Sequence, residues 1–256
     1  MTSVAPVSFY ALPGFPLVEP GDDLSALLAR ALRNSGLGLL DGDILVIAQK
    51  IVSKAEDRYI NLDDVEPSQR ARELAEKLGK DPRHVEIVLG ESEEIVRVGE
   101  HVIIAAHKLG FVMANAGIDE SNISHGENGR VLLLPRDPDG SAFEIKRRLD
   151  EEFGVSAGIL INDSFGRPWR NGVVGVALGA AGLPALVDRV GSLDLFGRKL
   201  KVTEIGVADE LASAASLLMG QADEGIPAVL VRGLRLAAPH RNAASLIRSR
   251  ERDMFR

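Results

Sequence analysis

The run GILINDSFGRPWRNGVVG, from Gly158 to Gly175, sets an acid and a hydroxyl directly behind an apolar segment. Gly158 to Ile161 has the length and bulk of a buried strand, after which Asn162, Asp163 and Ser164 turn abruptly polar, so chemistry is expected at a strand end. A carboxylate and a neighbouring hydroxyl are hard oxygen donors suited to Mg²⁺ or Mn²⁺, and Arg167 and Arg170 can hold an anionic group nearby. The same residues also suit a capped turn after a core strand with solvated arginines. Recurrence favours chemistry. Phe111 to Ala114 is a second apolar run leading into NAGIDESN, where Asp119 and Asn122 follow a strand much as Asp163 and Ser164 do. A third polar break, MGQADEGIP from Met219 to Pro227, separates a helical pattern from the apolar run Ala228 to Val231. In each break glycine permits close backbone approach to a ligand, and in two a carboxylate is available for a metal.

Strands and helices must carry these loops. Phe9 to Val18 combines apolar residues with Pro13, Gly14 and Pro16 and reads as a short strand entering a constrained loop. Asp22 or Asp23 caps a helix with Leu24, Leu27, Leu28, Ala31 and Leu32 on one face. Asp43 to Ala48 is strand-like and runs into QKIVSKAEDR, where Gln49, Lys50, Ser53 and Lys54 supply donors; lysines just past a strand suit phosphate, or are simply solvated. Pro67 to Gly79 is an amphipathic helix, and a second follows Pro82. His101 to Ala106 and the Phe111 run suggest a hairpin, and Val131 to Leu134 is a further apolar run. In RDPDGSAFEIKRRLDEEFG, Asp137 to Gly140 form a structural turn, with Ser141 and Glu144 at capping-box spacing before a helix. Val173 to Gly182 is rich in glycine and alanine, which suits close packing; Asp194 to Leu200 reads as a hairpin turn, and Ala208 to Met219 as a helix. The arginine-rich tail from Pro239 reads as a solvated terminal helix.

Composition narrows the function. A chain of 256 residues, 45% hydrophobic, can bury a full core as one domain or two joined lobes. A net charge of −7, with no long charge run, argues against a general nucleic-acid binder. Without cysteine there are no disulfides, thiolate metal sites or cysteine nucleophile. No run approaches the roughly 20 apolar residues of a membrane span, so no membrane partner and a cytoplasmic location are expected. The five histidines, His84, His101, His107, His125 and His240, lack ligand spacing. Neither GxxxxGK[ST] nor GxGxxG occurs, which disfavours a P-loop or dinucleotide-binding domain.

The ordered motifs PGDDL, IVSKAE, NAGIDESN, DPDGSA, INDSFGRPWRNGVVGVALG, DLFGRKL, VADELA and LLMGQADEGIPAVLVRGL together resemble the coenzyme F420:L-glutamate ligase family, from about Leu12 to Leu234. The resemblance implies a GTP-dependent ligase that adds L-glutamate to the deazaflavin coenzyme F420-0. Two divalent cations, Mn²⁺ or Mg²⁺, and a potassium ion are implied with it. It makes Asp119, Asp163, Ser164 and Gln221 metal ligands, and assigns GTP contacts to Phe15, Pro16, Leu17, Val18, Gln49, Lys50, Lys54, Asn122 and the stretch Met219, Gly220, Gln221, Ala222, Asp223, Glu224, Gly225 and Ile226. Two positions depart from the pattern: Gln221 stands where Glu is frequent, and Gln49 and Lys50 replace small hydroxyl residues of some members.

Amide formation from a carboxylate is uphill in water, so an acyl phosphate made from the GTP γ-phosphate is the expected activated species. Alignment and charge neutralisation then dominate catalysis, with Asp119 and Asp163 central and Arg167 or Arg170 holding a substrate carboxylate or phosphate. The competing classes are a metal-dependent phosphohydrolase and a non-catalytic nucleotide sensor. Helices and apolar strands without regular βαβ spacing indicate an α+β fold with mixed sheets and flanking helices. A single ligase domain over 1–256 is expected, with a core at about 12–234 and two intimately joined lobes. From the resemblance comes an intertwined homodimer.

Overall fold

The computed structural model describes residues 6–123 and 129–255. In chain order the elements are β1 (Ser8–Ala11), α1 (Leu24–Asn34), β2 (Ile44–Ala48), α2 (Gln49–Ala55), β3 (Tyr59–Asn61), α3 (Gln69–Leu78), α4 (Pro82–Glu91), β4 (Ser92–Gly99), β5 (Val102–His107), β6 (Val112–Ala114) and β7 (Arg130–Leu132). There follow α5 (Pro138–Phe153), β8 (Gly158–Arg167), β9 (Arg170–Ala181), β10 (Val187–Asp188), β11 (Glu204–Ile205), α6 (Val207–Met219) and β12 (Ala228–Arg232). This is the mixed α+β arrangement expected.

A five-stranded sheet of order β1-β12-β2-β8-β9 is the platform for the candidate site, and only β2 and β8 within it run parallel. The near-continuous apolar sequence ILVIA of β2 follows from its central place, since both faces are covered. Leu45, Ile47, Ile159, Ile161 and Leu230 face α1 and α5 through Leu28, Leu32, Ile145 and Leu149. Ile44, Val46, Leu160, Val229 and Val231 face α6 through Leu211, Ala212 and Ala215. The small residues of β9 are explained by contact. A Cβ on Gly175 would lie 2.3 Å from the Ala212 carbonyl oxygen of α6, and one on Gly179 2.2 Å from that of Pro138, so the helices approach as only glycine allows. A second, smaller core joins α3 and α4 to β5 through Ala75, Leu78, Val85, Val88 and Ile103.

Local chemistry sets the boundaries. The Asp23 carboxylate accepts the Ala26 N–H and starts α1, Ser68 does the same for α3, and the left-handed Gly79 ends α3. Four expectations are corrected. Asp163 and Ser164 do not follow a strand: β8 continues to Arg167, because β9 pairs with it along this whole length and cross-strand bonding overrides the polar composition. Gln49, Lys50, Ser53 and Lys54 lie on a short helix, α2, which brings Gln49 over Ser53 and Lys50 over Lys54. Ser141 is not a cap: Asp137 accepts the Gly140 N–H and starts α5 a turn earlier, leaving the Ser141 hydroxyl to donate to Glu56 at 2.5 Å. The tail forms 3₁₀ turns at Ala243–Leu246 and Arg250–Arg252 and no α-helix, and the Ala243 and Ala244 N–H groups donate to Asp139. Asp139 also accepts the Ala180 N–H of β9, which bears out the structural reading of DPDGS. Of the histidines, His84 and His107 are buried, His101 and His240 are exposed, and His125 lies outside the described residues.

Candidate active site

Where β2 ends beside the middle of β8, Ala48 opposite Asn162, the sheet opens into a cavity of about 610 Å³. Five segments line it: Phe15 to Glu19, Ala48 to Ile51 with Lys54 and Tyr59, Asn122 and Ile123, Asn162 to Ser164, and Met219 to Pro227. All three polar breaks thus meet in one place. Open α/β sheets bind ligands outside the carboxyl ends of parallel strands, and the parallel pair β2·β8 has such an end here.

A register shift between Ile161 and Asn162 in the β8·β9 pairing places a bulge where β8 turns polar. The extra residue is Leu178 of β9, so the partner strand bends opposite the point where β8 passes from Ile161 to Asn162. Asp163 keeps some solvent access through the cavity mouth, yet protein surrounds its carboxyl. Desolvation pushes its pKa up to about 6; the Asp119 charge adds to the rise, while the Ser164 N–H and the Lys50 ammonium oppose it. Lys50 is in ion-pair contact with Asp119. Asp119 also accepts the Ser121 backbone N–H at 3.0 Å and the Ser121 hydroxyl at 2.9 Å.

The NAGIDESN loop holds its shape at some cost. Asn115, Ala116 and Asn122 all have positive φ, at 48°, 52° and 55°, conformations worth of order 1–3 kcal/mol each that cluster at functional sites. Asn122 is a tie between loops: its carbonyl accepts from Lys54 Nζ at 2.7 Å, and its side-chain amide donates to the Ala222 carbonyl at 2.8 Å. Burial lowers the Lys54 pKa, against the opposing pull of the Glu19 charge.

Met219 ends α6, and Gly220 at φ +73° turns the chain so tightly that a Cβ there would strike the Glu224 carboxyl at 2.0 Å. Glu224 accepts the Ala222 N–H at 2.8 Å, and the N–H groups of Ala222, Glu224 and Gln221 hold its carboxyl below the usual range. Successive backbone N–H groups turned onto one carboxylate make an anion cradle. Gln49 and Asn162, both on the cavity wall, each keep one buried side-chain atom without a hydrogen-bond partner: Gln49 Nε2, whose companion oxygen accepts from Ser53 at 2.8 Å, and Asn162 Oδ1, which lies against Gly175 while its amide nitrogen meets Met219 Sδ at 3.4 Å.

Arg167 and Arg170 do not line the cavity. They sit exposed at the tip of the β8·β9 hairpin with Trp169 between them, about 13 Å along the strand from Asp163 at the usual rise per residue. Sequence reasoning missed Asn162, Tyr59, Glu19 and Ile123 as lining residues. Asn162 was legible as the polar neighbour of Asp163, whereas Tyr59 enters only through tertiary packing, its ring covered by the Arg130 guanidinium at 3.9 Å.

A divalent cation is tested by these donors. Asp163 with Ser164 offers hard oxygens around a carboxylate whose charge is poorly compensated, which fits one such ion. Asp119 fits less well, because both of its oxygens are engaged. Among the described residues no three acids and histidines gather as a metal site.

The family model F420-0:Gamma-glutamyl ligase matches residues 14–233. A coenzyme F420:L-glutamate ligase of Methanothermobacter thermautotrophicus is 52% identical over 252 residues, 98% of this chain and 99% of the relative. Those of Methanopyrus kandleri and Archaeoglobus fulgidus are 54% identical over 244 residues and 44% over 250, covering 93% of both chains in the first case, and 98% of this chain and 96% of the relative in the second. With the matched model spanning most of the sequence and the cavity motifs inside it, the chain belongs to the F420-0:Gamma-glutamyl ligase family.

Proposed function

We propose that this chain is a GTP-dependent ligase that joins L-glutamate to coenzyme F420-0 through an acyl phosphate. The observation that carries the proposal is the convergence of Lys50, Lys54 and the loop from Met219 to Pro227 around the desolvated Asp163, because ammonium groups facing a carboxylate floor suit a nucleotide's phosphates and the cation that accompanies them. Phe15 to Val18 and Tyr59 form the less polar end of the same cavity, where a base and ribose find contact area. Asp163 and Ser164 would hold a divalent cation, Mg²⁺ or Mn²⁺, which when bound would neutralise charge during phosphoryl transfer. The potassium ion rests on the resemblance alone.

In the first step an acceptor carboxylate oxygen attacks the γ-phosphorus, the bond to the β-phosphate bridging oxygen breaks, and GDP leaves. In the second the glutamate amine attacks the acyl carbon, inorganic phosphate departs, and the nitrogen releases a proton. Lys50 and Lys54 neutralise the migrating phosphoryl group, and the Asn122 bridge between Lys54 and Ala222 keeps the two phosphate-facing loops in register. Arg167 and Arg170 lie exposed along the hairpin leading out of the cavity, which supports a role in holding an anionic part of the acceptor outside the nucleotide site. No helix among the described residues is long and apolar enough to cross a membrane. Leu195 and Phe196, 100% and 96% exposed on the arm between β10 and β11, support a homodimer, and the separate core under α3 and α4 supports two joined lobes.

Incubation with GTP, Mn²⁺, glutamate and unglutamylated coenzyme tests the activity by mass spectrometry. One glutamyl residue gained per GTP consumed is expected. Phosphate release that ignores glutamate makes the chain a phosphohydrolase, and nucleotide binding without turnover makes it a sensor.

A further inference from the structure

The resemblance implies two divalent cations, but among the described residues the acids at the cavity serve only one. Asp163 is the open carboxylate. Asp119 is closed on both oxygens, Oδ1 by the Ser121 N–H and hydroxyl and Oδ2 by Lys50 Nζ. The other two implied ligands, Ser164 and Gln221, are neutral, and Gln221 is exposed. Glu224 is folded back onto its own loop, while Glu19 and Asp223 stand exposed at the rim. A second divalent ion at Asp119 would have to expel an ammonium and then balance its charge with neutral oxygens, whereas hard cations bind charged carboxylates best.

We infer that Lys50 takes the place of the second cation: its ammonium, held by Asp119 beside Asp163, supplies positive charge to the nucleotide's phosphates, so each chain binds one divalent ion with the nucleotide where two would otherwise sit. This rests on the nucleotide-ligase reading above. The placement suits the task. Lys50 lies in the first turn of α2, one turn before Lys54, with its side chain 27% exposed against 19% for Asp119, so the pair is shielded without being sealed. A lysine ammonium is a compact charge on a flexible stem and can turn towards a phosphate while keeping its carboxylate.

The test counts bound ions. Mn²⁺ is titrated into full-length protein carrying one equivalent of a non-hydrolysable GTP analogue, and free Mn²⁺ is read by electron paramagnetic resonance. Wild type is expected to bind one Mn²⁺ per chain, Lys50→Arg one, and Lys50→Ser two, since removing the ammonium frees Asp119 to ligate. Two ions in wild type overturn the inference, whether or not the serine variant folds. One ion in a folded Lys50→Ser protein overturns it as well, because Asp119 is then no ligand in waiting. A chain that binds Mn²⁺ but no nucleotide overturns the nucleotide reading itself, a result distinct from either ion count.

Discussion

The parallel pair β2·β8 has two ends, and each carries a buried acid in a different condition. At the amino end, Asp43 is 3% exposed at the side chain and fully engaged: Arg232 reaches it through Nε at 3.0 and 3.1 Å and through a terminal nitrogen at 2.6 Å, and the Leu40 N–H donates at 2.9 Å. At the carboxyl end, Asp163 has its neighbour's N–H and the unbonded charge of Lys50 to set against desolvation. The first acid is closed by the fold; the second is left open to whatever enters the cavity. Buried charge that the protein itself satisfies belongs to stability, and buried charge left unsatisfied is the signature of a site.

Asp163→Asn should break the open end without touching the closed one. Ligation should fall by at least about 10²–10³-fold, the size expected when a group aimed at developing charge is lost. Stability should move the other way. Because desolvation raises the Asp163 pKa to about 6, the folded state resists its ionisation, and the carboxylate opposes folding as pH rises from 3.8 through about 6. At pH 7 the amide variant should therefore melt at or above the parent temperature. Product mass and a thermal melt check both halves, and a variant that ligates normally removes Asp163 from the site.

Arg232→Met is the mirror experiment at the closed end. It strands the Asp43 charge, at a cost of about 3 kcal/mol, the low end for a broken buried pair because Arg232 keeps some solvent. The melting temperature should drop, and adding Asp43→Asn should recover part of the loss by removing the stranded charge. Activity per folded molecule should be unchanged within about twofold, since neither residue borders the cavity. Loss of activity at temperatures where the variant is fully folded would mean that the two ends are coupled through β2 and β8.

The open end was the more legible in sequence. Apolar runs breaking into Asn162-Asp163-Ser164 and into Asp119, and the glycines around Gln221, announced a site because polar groups behind buried strands need partners. Glycine and alanine in β9 announced close packing, which Gly175 against Ala212 and Gly179 against Pro138 supply. The closed end was silent: Asp43 and Arg232 lie 189 residues apart, and their pairing depends on β12 lying beside β2. The extent of β8 and the 3₁₀ form of the tail were illegible for the same reason. Partners from β9 and from Asp139 decide them, and neither propensity nor periodicity encodes a partner's position.

Glu91 sharpens the contrast at the smallest scale, as an acid outside the cavity that the fold satisfies only in part. It ends α4 with His107 Nε2 at 3.6 Å, too long for a good hydrogen bond and so chiefly an electrostatic contact, Arg58 at 3.1 Å and Lys108 at 4.0 Å. His107 first, then the charges of Arg58 and Lys108, hold its pKa below the usual 4.5 against the opposing effect of burial. A depressed acid contributes stability that is present above its unfolded value and lost as pH falls through its folded one. Glu91→Gln should therefore cost about 1 kcal/mol at pH 7, where a partly exposed ion pair is worth that much at most. The cost should shrink as pH falls below 4.5, until the two proteins unfold alike. Urea melts at pH 7 and at steps below 4.5 decide it. A difference that stays constant down to the acid transition would mean that Glu91 acts by shape alone, and that charge satisfaction outside the cavity is not what separates it from Asp163.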